Sequence, residues 1–167
     1  IDRYLNMVGL KTGALIAGAL KGGAVIAGGS RKQVDLITHF GKSLGIAFQI
    51  IDDSLDLLGG ERATKSVMND LRQGKATPML IHALAKASEP ERETIMQAVG
   101  NQRMTADQAA AVIHLYRAHG AIEYAQSLSH QYTRQAKAVL AKLPQGEAHD
   151  RLMAIADILD YWNLTGE

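Results

Sequence analysis

The sequence contains no cysteine among its 167 residues and shows no excess of charge of either sign. The missing cysteine excludes disulfide bonds, thiolate metal sites and a cysteine nucleophile, and it is compatible with a reducing compartment. The 18 basic and 17 acidic residues leave a formal net charge of +1, which argues against a general nucleic-acid or anionic-membrane surface. We therefore expect a soluble cytoplasmic protein that binds no nucleic acid.

Long apolar runs are missing as well. The most apolar stretch, residues 9–29, is interrupted by Lys11 and Lys21, which leave uncharged runs of nine residues each at 12–20 and 22–30. A membrane-spanning helix needs about 20 apolar residues, so the sequence predicts no membrane span. The glycines and alanines of this stretch, including Gly18 and Gly22 four residues apart, predict close helix packing instead.

No segment alternates apolar and polar residues for long enough to predict a β-strand. Helical periodicity and capping signals predict helices throughout, with Gly28 and Gly29 ending the first of them. The predicted helices are 4–27 with a kink at Gly22 and Gly23, 30–58, one with Thr77 as cap and Pro78 in its first turn, two that begin at the capping boxes of Ser88 and Thr105, 121–143 and 147–161. The interval 61–75 is polar and predicts an irregular loop. The predicted fold is an all-α antiparallel helical bundle.

Three carboxylates lie in the last two turns of the second predicted helix, in the segment 48–56, Phe-Gln-Ile-Ile-Asp-Asp-Ser-Leu-Asp. Asp52 and Asp56 are four residues apart and share a helix face, with Asp53 at its edge and Gln49 one turn earlier. Like charges this close repel one another, so a bound cation would explain the pattern. All-oxygen ligands favour a hard ion such as Mg²⁺. A solvated helix face is the alternative.

Other phosphate and metal motifs are incomplete. Gly41-Lys42-Ser43 ends like a phosphate-binding loop, but Leu36 stands at the required first glycine and no strand precedes it. An EF-hand that began at Asp52 would need glycine where Leu57 stands. We therefore reject both motifs.

Two further segments flank the aspartates. Leu-Lys-Thr-Gly occupies 10–13, and after Lys65 the stretch 70–78 reads Asp-Leu-Arg-Gln-Gly-Lys-Ala-Thr-Pro. In this order, the three segments resemble the trans-isoprenyl diphosphate synthases, the polyprenyl synthetase family. One departure is Thr64, which stands where the family usually has glycine before the lysine. The resemblance covers only the C-terminal half of such an enzyme.

The resemblance implies a reaction in which an allylic diphosphate ionises, isopentenyl diphosphate attacks the carbocation, and a proton is lost. It also implies a role for each matching residue: Asp52, Asp53 and Asp56 as ligands of Mg²⁺, Lys11, Lys65 and Lys75 as contacts of the allylic diphosphate, and Thr12 and Gln49 beside the allylic carbons. Lys11, Thr12 and Gln49 are the candidate catalytic residues. The alternatives are solvated loop lysines, and threonine and glutamine side chains that bond the backbone. Asp70 matches an acidic position of the family pattern, where it can anchor the loop.

The family's first aspartate-rich motif and its isopentenyl diphosphate site have no counterpart in this sequence. Residues 1–167 are therefore expected to be the C-terminal part of a single prenyl synthase domain, inactive alone, with its own N-terminal half and a second copy in a homodimer as partners. The start at Ile1 rather than methionine agrees with a fragment. Two other hypotheses remain open. One is a noncatalytic regulatory subunit, and the other is a terpene cyclase, although the metal motif usual in cyclases is not recognisable.

Overall fold

The computed structural model describes residues 1–58 and 68–161, and these form helices joined by turns, without a strand. The prediction of an all-α protein is therefore confirmed. The helices are α1 (Asp2–Val8), a π-helical turn (Gly9–Gly13), α2 (Ala14–Ile26), α3 (Arg31–Leu58), α4 (Asn69–Arg72), α5 (Pro78–Lys86), α6 (Glu89–Ala98), α7 (Ala106–Ala118), α8 (Ala121–Leu140) and α9 (Glu147–Tyr161). None of the helices in the described residues combines the length and hydropathy that crossing a bilayer requires.

The predicted capping signals begin helices as expected. The Thr77 hydroxyl accepts the Leu80 N–H at 3.4 Å, and a proline occupies the first turn of α5. Ser88 and Thr105 both form complete capping boxes at the starts of α6 and α7. These bonds satisfy backbone N–H groups that the first helical turn leaves without partners. Gly28, at a φ of 73°, ends the run that begins with α1.

Three details differ from the prediction. The departure from α-helical hydrogen bonding lies at Gly9–Gly13 and not at Gly22 and Gly23, through which α2 continues. A short helix, α4, occupies part of the interval that was predicted to be irregular. The helix predicted at 121–143 ends at Leu140, where turns take over.

The chain forms two compact units. The first unit comprises Ile1 and Asp52–Gln126, and the second comprises Asp2–Ile51 and Ser127–Glu167. In the first unit, α7 packs against α5 and α6. The Gly100 N–H donates to the Leu71 carbonyl at 2.9 Å, and the Gln102 amide donates to the Arg72 carbonyl at 3.0 Å. These bonds fasten α4 to the loop between α6 and α7.

The core of the second unit lies between α3, α8 and α9. Its buried members are Ile37, Phe40, Leu44, Ala136, Leu140 and Ala156. Burial of such side chains contributes about 25 cal/mol per Å² of apolar area. Phe48, also on α3, is 48% exposed and does not belong to this core.

The backbones of the π-helical turn and α2 come close to the backbone of α3 at two glycines. A Cβ on Gly45 would lie 2.7 Å from the Gly13 Cα, and a Cβ on Gly41 would lie 2.8 Å from the Ala17 Cα. Both distances are shorter than any side chain tolerates. A Cβ on Gly18 or on Gly22, the pair predicted to serve this purpose, would meet nothing within 4 Å. The prediction of glycine-mediated packing was therefore right about the segment and wrong about the residues.

Candidate active site

In the first unit, Asp56 connects the end of α3 to the segment that carries Asp70. Its Oδ2 accepts the Asp70 N–H at 2.7 Å, and its main-chain carbonyl accepts the Met68 N–H at 3.0 Å. Backbone N–H groups are strong donors, and a carboxylate that receives one is fixed in orientation. The third aspartate of the sequence motif thus positions the start of α4.

Met68 makes this connection possible by adopting a left-handed conformation, with φ 59° and ψ 40°. Residues other than glycine lose about 1–2 kcal/mol in this region. The Met68 side chain is 2% exposed, so its burial offsets part of that strain. The turn directs the N–H groups of residues 68 and 70 towards Asp56.

Lys75 lies among the carboxylates of the first unit. Its ammonium contacts the Asp70 carboxylate at 2.5 Å, and its N–H donates to the Asp70 carbonyl at 2.9 Å. The hydrogen bond to Asp70 raises the pKa of Lys75, and the charges of Asp70, Asp53 and Asp56 add to the effect. The lysine side chain is 49% exposed, against 13% for that of Asp70. Lys75 is therefore a charged group with a free path to solvent.

Burial disfavours the charged form of Asp56, the aspartate at the centre of this arrangement. It raises the pKa of Asp56, whereas the Asp70 N–H acts to lower it. Asp53 is buried, and it lines a cavity of about 10 Å³ together with Asp56 and Asp70. Such a cavity holds about one water molecule. A small cation bound beside these groups would stabilise the ionised carboxylates that burial disfavours.

The donors fit a hard cation, because they are all carboxylate oxygens. Across the described residues, however, no three acidic, histidine or cysteine side chains come close enough to enclose a metal ion. Mg²⁺ usually takes one or two protein carboxylates and completes its shell with water and phosphate oxygens. The arrangement suits that mode, with substrate supplying ligands that the protein does not.

The remaining predicted residues fall in different places. Asp52 is exposed on α3, and Lys11 is exposed in the π-helical turn. Lys65 lies outside the described residues. Asp70, which links Asp56 to Lys75, was predicted only to anchor the loop. The sequence signal for a larger role was that Asp70 stands five residues before Lys75. The two side chains meet because the chain turns at Gly74, which has a positive φ.

Thr12 and Gln49 meet within the second unit. The Thr12 hydroxyl donates to the Gln49 Oε1 at 2.7 Å, and both residues are half-buried. The close approach of Gly13 and Gly45, one residue and one turn away, allows two short side chains to bridge the helices. The pair joins residues 37 positions apart in sequence.

Comparison with known proteins agrees with these features. A sequence model of the family described as polyprenyl synthetase matches residues 1–116. A short chain isoprenyl diphosphate synthase of Methanothermobacter thermautotrophicus is 36% identical over 161 residues, which are 95% of this chain and 48% of that protein. The chain spans about half the length of the curated relatives it matches.

Solved structures show the same likeness. A decaprenyl diphosphate synthase from Rhodobacter capsulatus gives a TM-score of 0.87 at 33% identity, over 96% of this chain and 50% of that one. A polyprenyl synthase from Caulobacter crescentus, solved in complex with calcium and isoprenyl diphosphate, gives 0.85 at 34% identity, over 94% and 48%. The isoprenoid synthase type of helical fold is thereby confirmed.

Proposed function

The chain belongs to the polyprenyl synthetase family, and from that membership we propose that it takes part in the condensation of isopentenyl diphosphate with an allylic diphosphate. Residues 1–167 are then the C-terminal part of a single prenyl synthase domain. The complete domain includes an N-terminal half, acts as a homodimer and works in the cytoplasm. The product is a longer polyprenyl diphosphate.

The observation that carries the proposal is the network of Asp56, Asp70 and Lys75 in the first unit. Diphosphate leaves carbon readily only when its developing negative charge is neutralised. The Lys75 ammonium lies 2.5 Å from the Asp70 carboxylate and is half-exposed. It can therefore donate one N–H to a diphosphate oxygen while another stays on Asp70, whose hydrogen bond raises the pKa of the lysine. A lysine and several carboxylates side by side suit a ligand made of an anion and a cation together.

We propose Mg²⁺ as that cation, with Asp52, Asp53 and Asp56 as its protein ligands. When bound, it neutralises charge on the diphosphate oxygens. The Caulobacter crescentus polyprenyl synthase supports the proposal, since it was solved with calcium and isoprenyl diphosphate. Calcium and magnesium both prefer oxygen ligands.

Lys11 and Lys65 are proposed as further contacts of the allylic diphosphate. Thr12 and Gln49 are proposed to face the allylic carbons, where oxygen dipoles steady a carbocation without capturing it. Their hydrogen bond supports this role, because donation of the Thr12 proton to Gln49 turns the lone pairs of the threonine oxygen away from the glutamine. No contact in the described part of the chain favours a regulatory subunit or a terpene cyclase.

The test is incorporation of radiolabelled isopentenyl diphosphate into a prenyl product by the complete domain, with an allylic diphosphate and with Mg²⁺ or a chelator. We expect incorporation only with Mg²⁺. Lys75→Met should lower kcat by about 100-fold, the loss typical of one transition-state charge contact. Lys86→Met is the matched control, since Lys86 is an exposed lysine at the end of α5 in the same unit, and it should retain wild-type activity.

Two results would contradict the proposal. One is the absence of Mg²⁺-dependent incorporation by a folded complete domain. The other is equal activity of the Lys75→Met and Lys86→Met variants, which would reduce Lys75 to an exposed partner of Asp70. Circular dichroism of both variants serves as the folding control.

A further inference from the structure

The second unit contains a polar pocket, and none of the proposed prenyl-transfer residues that the structure describes lines it. Its volume is about 310 Å³, within the usual range for small-molecule sites. Three polar residues of one face of α3 line it, His39, Lys42 and Ser43, and α1 and α8 supply Asn6 and Tyr132. Three separate helices therefore bring polar side chains to one cavity.

The exposed side chain of Lys42 passes close to two glycines. A Cβ on Gly13 would lie 3.4 Å from the Lys42 Cγ, and a Cβ on Gly9 would lie 3.5 Å from its Cε. The aliphatic stem of the lysine thus runs along the π-helical turn from Gly13 towards Gly9, which itself lines the pocket. Within residues 1–58 and 68–161, Lys42 has no ion-pair partner. Lys42 therefore brings a positive charge to the pocket.

The other polar groups of the pocket can donate hydrogen bonds. Ser43 offers a hydroxyl and Asn6 an amide. Burial raises the pKa of the Tyr132 phenol, and the charge of Asp2 adds to the shift, so the phenol remains a protonated donor at neutral pH. Among the described residues no carboxylate lines the pocket, although Asp2 lies close enough to act on Tyr132. Leu5 and Ile46 supply an apolar wall.

We propose that this pocket binds a small molecule that bears a phosphate group, with Lys42 as its charged contact and Ser43, Asn6 and Tyr132 as hydrogen-bond donors. A cationic group surrounded by neutral donors, with no acceptor-only side chain, is complementary to phosphate oxygens. The proposal rests on the second unit alone and does not depend on the prenyl-transfer activity.

The test uses the complete protein without Mg²⁺, labelled so that NMR reports the rings of His39 and Tyr132. Inorganic phosphate and diphosphate are titrated separately. Either probe should shift both ring signals in a saturable manner, and the one that binds more tightly identifies the head group. Because these two rings line the pocket, their shifts distinguish this site from binding of diphosphate beside Lys75.

Lys42→Met keeps the stem that packs on Gly9 and Gly13 and removes the charge. It should weaken binding by about tenfold or more, the usual loss for a charged hydrogen bond. Lys32→Met, an exposed lysine of α3 that does not line the pocket, should change the affinity less than about twofold, as for a distant surface charge. Asp2→Asn should tighten binding, because it removes a negative charge beside Tyr132.

Two outcomes would overturn the proposal. The first is the absence of ring shifts at about 10 mM of either probe, ten times a Kd of about 1 mM. The second is equal weakening by Lys42→Met and Lys32→Met, which would indicate unspecific attraction of anions. If Lys42→Met fails to fold, an unchanged affinity of Asp2→Asn would count against the site.

Discussion

Asp56, which we propose as a ligand of Mg²⁺, lowers the stability of the folded chain when it is ionised and no cation is bound. Burial raises its pKa in the folded chain above the unfolded value. A carboxyl group whose pKa rises on folding favours the folded state while it is protonated, below the unfolded pKa of about 4. That contribution is lost as the pH rises through the folded pKa. At neutral pH, without a cation, Asp56 therefore opposes folding.

We expect Asp56→Asn to raise the free energy of unfolding at pH 7 in the absence of Mg²⁺. The asparagine oxygen still accepts the Asp70 N–H, and the buried charge is gone. The gain should shrink as the pH falls towards about 4, because the raised pKa of the wild-type carboxyl lets it take up a proton more readily than a free aspartate does. Denaturant unfolding of both proteins at several pH values measures it. A difference in the free energy of unfolding between variant and wild type that is smaller at pH 7 than at pH 4 would show that the prediction is wrong.

Met68 permits a test of backbone strain. Met68→Gly and Met68→Ala both lose the buried side chain, but only glycine adopts a φ of 59° at no steric cost. We expect the glycine variant to be more stable than the alanine variant by roughly 1 kcal/mol. Within a regular helix the order is reversed, with alanine better by about 1 kcal/mol. Thermal melts of the two variants decide, and a more stable alanine variant would remove the strain from the account.

How far the site could be predicted depended on the range of the interactions. The aspartates stood out because i, i+4 spacing on a helix is a local property. The link from Asp56 through Asp70 to Lys75 did not, because it depends on a left-handed turn at a methionine, which no local preference favours. The family resemblance pointed to Thr12 and to Gln49 separately, but nothing in the sequence predicted the hydrogen bond between them.

At the scale of helices, the glycines of the second unit divide into two kinds. Gly13, Gly41 and Gly45 lie where backbones touch, whereas Gly18 and Gly22 face open space. Sequence spacing does not distinguish the two kinds, because Gly41 and Gly45 are four residues apart and so are Gly18 and Gly22. Capping boxes were predictable because each is confined to four consecutive residues. The π-helical turn was not, because it depends on how closely α3 approaches.

Gly45→Ala and Gly18→Ala form a matched pair. The first places a methyl group 2.7 Å from the Gly13 Cα and should lower the free energy of unfolding by about 1–3 kcal/mol, as overpacking does. The second replaces an unpacked glycine inside α2 and should raise it by up to about 1 kcal/mol. Denaturant titrations compare them. Equal effects would contradict the close crossing at Gly13.

At the scale of the whole molecule, α2 exposes large apolar side chains. Leu15 is 74% exposed, Val25 56% and Ile26 89%. We expect side chains this exposed to be covered by another polypeptide in the complete protein. The proposed N-terminal half and the second copy of a homodimer are both candidates to cover it.

We therefore expect residues 1–167 expressed alone to associate or precipitate, and to become soluble when the N-terminal half is supplied as a separate chain. Mg²⁺-dependent prenyl transfer should appear only in the mixture. Size-exclusion chromatography and the incorporation assay measure the two effects. A soluble, active monomer of this chain would contradict both the half-domain proposal and the roles given to its residues.

The lysine stem that rests on Gly9 and Gly13 has an evolutionary consequence. A Cβ at position 13 would lie 3.1 Å from the main-chain oxygen of Lys42, whereas a Cβ at position 9 would make ordinary van der Waals contact with the Lys42 side chain. Among related sequences, position 13 should therefore remain glycine whatever residue occupies position 42, because the crowding involves the backbone. Position 9 should accept alanine beside a lysine at position 42. Position 18, where a Cβ would meet nothing within 4 Å, should vary as well.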